Sequence, residues 1–177
     1  MDSRQFHWKI FWGSKTVKRG IFMKKFVAVL AAAVMAVTLV PSASAAENTH
    51  LTNVRTGHHD TFDRVVFDLS GGQPQDSVTR ISEPTNCASG KPVSAKGVEF
   101  LEVRLQPAAA HDENGNSTYP GSRNFTTGLP TAQSVAFTCD FEADLSIAIG
   151  VNHRNATYQA WFTTSGPLRY VVDIYHS

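Results

Sequence analysis

The chain has 177 residues and a formal net charge of +1, yet residues 1–45 hold seven of its sixteen Lys and Arg and only one acidic residue, Asp2. The remaining 132 residues keep nine basic and fourteen acidic side chains, a net charge of −5. That excess of acid excludes nucleic acid and anionic lipid as partners, since both need clustered Lys and Arg. A chain of this size suits one domain and needs no metal to complete its core.

The N-terminal segment reads as a secretory leader. Met23-Lys24-Lys25 is basic, FVAVLAAAVMAVTLV (26–40) is apolar, and Pro41-Ser42-Ala43-Ser44-Ala45 ends in a small-x-small pattern. The apolar run falls short of the roughly 20 residues of a membrane span. Cleavage is expected after Ala45, which leaves membrane contact only to the uncleaved form. Met23 is an alternative start. Residues 46–177 are then the exported domain.

Beyond the leader, period-two alternation dominates. Strands are expected at 51–56, 62–69, 77–82, 98–105, 133–141, 144–151, 156–164 and 168–175. In VEFLEVRL (98–105), Leu101, Val103 and Leu105 oppose Glu102 and Arg104. In QSVAFTCDF (133–141), Val135, Phe137, Cys139 and Phe141 share one face. In DLSIAIGV (144–151), the second face holds Ser146, Ala148 and Gly150, small enough to be covered or to admit another backbone. Turn residues separate the runs at Ser70-Gly71-Gly72, Asn114-Gly115-Asn116, Pro120-Gly121 and Ser165-Gly166-Pro167. Residues 106–133 lack a pattern and are expected to be a long loop, with a helical turn near Pro107–Ala110. Short strands between turns predict an all-β fold, a single-domain β-sandwich of antiparallel strands.

Cys87 and Cys139 lack C-x-x-C spacing and read, in an exported chain, as one disulfide. Closing a loop of this length stabilises by about 4 kcal/mol in the chain-entropy model.

Charged residues near the two ends of the domain form a second candidate group. Asp63 and Arg64 start one strand, and Arg169 and Asp173 share a face of the last. A cross-strand ion-pair network of these four would fix the register, because a one-residue slip reverses every side chain.

His58-His59-Asp60 raises the question of a metal. Adjacent residues of an extended chain point to opposite faces, so at most one of the two histidines serves a given site. His111, Asp112 and His153 are further possible ligands that no spacing gathers. The histidines are read as a polar connection, and no metal or cofactor is expected. Asp112-Glu113-Asn114-Gly115-Asn116 has oxygens at calcium-loop places but lacks the closing glutamate; a β-turn explains it. G-x-S-x-G, H-E-x-x-H and phosphate-binding glycine loops are absent. Tyr158 and Trp161 are candidate ligand-binding aromatics.

VRTGHHDTFDRVVFDLSGG (54–72), VRLQPAAAHDENGNSTYPG (103–121) and FTTSGPLRYVVDIYH (162–176) together resemble the AMIN-like domain of bacterial exported proteins and lipoproteins, a distant relative of the AMIN domain. The Arg-Val-Val strand at 64–66 and the Pro-x-Arg-x-Val-Val-Asp strand at 167–173 resemble typical AMIN strands. The resemblance implies a non-catalytic β-sandwich that localises at the cell envelope, with peptidoglycan or another wall glycan as ligand. Residues 73–80 lack the aromatic-rich strand of that pattern, and the cysteines are a local addition. Two other functions fit the residues alone: an interaction module for an exported protein, and a hydrolase using His58, His59 or His111.

Overall fold

The computed structural model describes residues 48–177. The leader, the choice of start and the cleavage after Ala45 lie outside the described residues. Ten strands are present: β1 Thr49–His58, β2 Phe62–Ser70, β3 Gln75–Ile81, β4 Glu99–Gln106, β5 Ala108–Ala109, β6 Asn124–Thr126, β7 Ala132–Phe141, β8 Asp144–Val151, β9 Tyr158–Phe162 and β10 Arg169–Tyr175. No helix occurs among the described residues.

The strands form two five-stranded sheets, β5-β1-β2-β10-β9 and β3-β4-β8-β7-β6. All pairings are antiparallel except β1 with β5, where Thr49 and His50 run parallel to Ala108 and Ala109. Alternation decides which face meets the other sheet. The first sheet contributes Leu51, Val65, Phe67, Leu69, Tyr170, Val172 and Ile174; the second contributes Leu101, Val103, Leu105, Val135, Phe137, Leu145, Ile147 and Ile149. Each fully buried aliphatic side chain contributes about 1.5–3 kcal/mol, and together they hold the sheets face to face.

The open side between β3 and β9 is closed by polar-tipped aromatics. Tyr170 Oη donates to Asp76 Oδ2 at 2.7 Å, and Tyr158 Oη donates to the Val78 carbonyl at 3.4 Å. Arg80 lies over the Tyr158 ring, 5.3 Å from its centre.

The β7 and β8 part of the second sheet's outer face is roofed by the segment between β3 and β4. Residues 82–98 run across Ser134, Ala136, Ala148 and Gly150, all buried. Ser134 Oγ donates to the Lys96 carbonyl at 2.7 Å, Asn124 Nδ2 to the Ser94 carbonyl at 2.5 Å, and the Cys87 amide to the Thr138 carbonyl at 2.9 Å. A Cβ added at Gly150 would overlap the Lys96 carbonyl oxygen, which is why this strand face is so small. Cys87 and Cys139 are joined in a disulfide, 5.2 Å between Cα atoms, tying the strap to β7.

Three expectations from the sequence are corrected. A β-bulge between Phe137 and Cys139 shifts the register, so Phe137 pairs with Ile147 but Cys139 with Ser146. Cys139 therefore leaves the core face of Val135 and Phe137 for the strap side. Residues 106–133 are not a continuous loop, since they hold β5 and β6. Nor is there a helical turn near residues 107–110, because Ala108 and Ala109 are paired with β1 and Ala108 donates its amide to the Ala143 carbonyl at 2.9 Å.

Candidate functional site

The strap covers the β7 and β8 part of one outer face and leaves Ser77, Thr79, Arg104 and Gln106 of β3 and β4 exposed, whereas the outer face of the other sheet carries no such cover. The pairing brings outward side chains into rows: Arg55 beside Val66, Val66 beside Val171, and Val171 beside Trp161. The next row is Gly57, Arg64, Asp173 and Gln159.

Ion pairs cross these rows. Arg64 is bidentate to Asp173, with Nε 2.6 Å from Oδ1 and Nη2 2.7 Å from Oδ2. Arg55 is bidentate to Asp68 at 2.7 Å for both contacts, and Arg169 Nε reaches the same carboxylate at 3.2 Å. The Arg55 hydrogen bonds, opposed by partial burial and aided by Arg169, hold the Asp68 carboxyl below its ordinary range. Val66 and Val171 are buried although they face outward, flanked by these long side chains.

Arg64 is also the centre of an aromatic group. Its guanidinium lies 5.1 Å from the Phe62 ring centre and 5.5 Å from that of Trp161. Trp161 is 37% exposed, with Val98 and Phe141 one of the large apolar side chains open to solvent among the described residues. Gly57, with nothing near its missing side chain, leaves a shallow notch of about 160 Å³ lined by Arg55, Thr56, His59, Arg64 and Val66. The face thus offers an aromatic plate, fixed guanidinium planes and a recess within one patch.

Of the two candidate aromatics, only Trp161 is here. Tyr158 lies three residues away on the same strand and so faces inward, where it packs against the core. Arg64, Arg169 and Asp173 share the outer face, whereas Asp63 stands on the inner one, fully buried. Its Oδ2 accepts the amides of Thr131 and Ala132 at 2.7 and 3.0 Å, and its Oδ1 meets His58 Nδ1 at 2.9 Å and His176 Nε2 at 3.1 Å. Burial alone would raise its pKa, but the bonds from His58, the two amides and His176 hold it lowered. His58 is therefore more than a connector, and Asp63 reaches across to the second sheet at the start of β7.

His111 lies elsewhere. Its Nδ1 is 3.0 Å from Asp140 Oδ1, which also accepts the Ala110 amide at 2.9 Å, while Arg123 donates to Oδ2 at 2.6 Å. Asp112 accepts the amides of Asn114 and Asn116 at 2.9 and 2.8 Å, the arrangement of an Asx turn. His153 contacts its neighbour Asn152. The structure does not gather His111, Asp112 and His153 with His58. His176, six residues beyond Tyr170, was missed in the sequence because only the β2–β10 register brings it near His58.

The model described as the AMIN-like domain matches residues 49–176, nearly all of the described chain. No curated protein and no solved structure matches it.

Proposed function

The chain belongs to the AMIN-like domain family, and from that membership we propose that it is an exported, non-catalytic module that binds peptidoglycan or another wall glycan through the outer face of the β1-β2-β10-β9 sheet. Domains of this family are in general exported binding domains, and a disulfide fits a location outside the cytoplasm.

The observation that carries the reading is the Trp161–Arg64 pair. Sugar rings present apolar C–H faces that stack on an indole, and their hydroxyls and carboxylates bond to a planar guanidinium. Arg64 is already oriented by Asp173 and Phe62, so little ordering is needed when a ligand arrives. The neighbouring notch at Gly57 has room for a small substituent.

Co-sedimentation with purified cell wall tests this. Wild-type protein should be retained above an unrelated acidic domain, and Trp161→Ala should fall to that background. Equal retention of the variant and the wild type would sink the proposal.

A further inference from the structure

His58, Asp63 and His176 converge from three places: the last residue of β1, the second of β2, and the tail after β10. One donor atom of each lies within 4.8 Å of the other two. The two imidazole rings are stacked at 5.0 Å between centres and 12° between planes. Both aim a nitrogen at the same oxygen, Asp63 Oδ1, at 2.9 and 3.1 Å.

We propose that this cluster is a binding site for one divalent transition cation of the zinc type, ligated by His58 Nδ1, His176 Nε2 and Asp63 Oδ1. Three observations carry it. First, the spacing fits. Ligands about 2.0–2.1 Å from a tetrahedral zinc lie about 3.3 Å apart, so each nitrogen need retreat from Oδ1 by only a few tenths of an ångström, while the two nitrogens, within 4.8 Å of each other, close on the cation by a turn of the near-parallel rings. Second, the carboxylate is preoriented. Its other oxygen is fixed by the Thr131 and Ala132 amides, the outer support that metal-binding carboxylates have. Third, the cluster is open on one side. Asp63 is fully buried, whereas the His58 side chain is 52% exposed, so a cation can enter from solvent.

Two imidazoles and one carboxylate select borderline cations over calcium or magnesium, which take oxygen ligands in greater number. On binding, each histidine changes its inward nitrogen from an N–H donor to a lone-pair donor. The proton moves to the other ring nitrogen or to solvent. The cation would join β1, β2 and the tail, and through Asp63 would bind them to β7 of the opposite sheet. The ligands stand on the inner side of the sheet and Trp161 on the outer, so loss of zinc in His176→Ala and loss of wall retention in Trp161→Ala are distinguishable outcomes.

The test uses the full chain in chelator-treated buffer, titrated with Zn²⁺ and then Co²⁺ in the presence of millimolar Mg²⁺ and Ca²⁺. One zinc per chain is expected, with a raised Tm and a visible Co²⁺ absorption of a four-coordinate site. His58→Ala and His176→Ala should each weaken zinc binding by roughly tenfold or more, while His111→Ala should bind as wild type does. Because substitution could also perturb the fold, ring-proton NMR of the unaltered protein provides a second reading. Zinc should shift His58 and His176 and leave His111 and His153 in place. Binding without a 1:1 endpoint, binding that survives the His58→Ala and His176→Ala changes together, or shifts at His111 or His153 would each overturn the proposal.

Discussion

Arg64 and Asp173 face each other directly across β2 and β10, joined by two parallel hydrogen bonds of 2.6 and 2.7 Å. Asp173 is almost fully buried, so it depends on this guanidinium. Arg64→Ala should cost about 1–3 kcal/mol in denaturant unfolding, because it takes both hydrogen bonds from a carboxylate that the guanidinium otherwise covers. The Arg64→Ala/Asp173→Ala pair should lose less than the sum of the two single changes, leaving a coupling of about 1 kcal/mol or more. Additive losses would show that the bidentate contact has no energetic weight. Arg64→Lys should rescue little, since an ammonium cannot span both oxygens.

Trp161 and Tyr158 belong to one strand but should separate in their effects. Trp161→Ala should leave the midpoint of chemical denaturation almost unchanged while abolishing wall retention. Tyr158→Ala should lower stability by about 2 kcal/mol through lost packing and the lost Arg80 contact, with retention per folded molecule preserved. Identical profiles for the two variants would contradict the assignment of opposite faces.

Gly150→Ala probes the strap. The added methyl would collide with the Lys96 carbonyl oxygen and approach Ser134 Oγ to 2.5 Å. Moving a backbone out of the way should cost about 1–3 kcal/mol. Replacing Cys87 and Cys139 together by serine opens a 52-residue separation, a loss of about 4 kcal/mol in the chain-entropy model. Hydrogen exchange should then rise first in residues 82–98; uniform exchange across both sheets would refute the strap as a separate unit.

Acid sensitivity follows from Asp68 and Asp140. Both carboxyls are held below the ordinary value of about 4, Asp68 by Arg55 foremost. Asp140 is held low against its own burial by the Ala110 amide, Arg123 and His111. A lowered folded pKa gives stability that is complete above the unfolded value and is lost as pH falls through the folded one. The unfolding free energy should therefore fall below about pH 4. Asp140→Asn should flatten that limb, at the cost of lower stability at pH 7. A variant with an unchanged acid limb would remove Asp140 from the account.

Alternation was enough to identify most strands, since Leu101, Val103 and Leu105, or Ile147 and Ile149, leave no doubt about which face is inward. The two-residue β5 and three-residue β6 are too short for any period to register. The bulge at residue 138 is a property of pairing, so Cys139 could be placed only once its partner Ser146 was known. The small residues of β8 did indicate a covered face, without saying by what. At the candidate sites, parity alone separates Tyr158 from Trp161 and Asp63 from Arg64. His58 meets Asp63 because the hairpin closes over His59–Phe62, where the His59 amide donates to the Phe62 carbonyl at 2.9 Å. His176 joins them across a separation of 113 residues, which no local spacing can announce.

The strap makes the molecule one-sided. A sandwich with two bare flanks could be approached from either, and a bound copy could lie either way up. Here the β7 and β8 half of one flank is occupied by the chain's own backbone, so the two flanks offer a partner different surfaces. A copy held by the bare flank would present its disulfide, and the exposed Phe141 near it, on the opposite side.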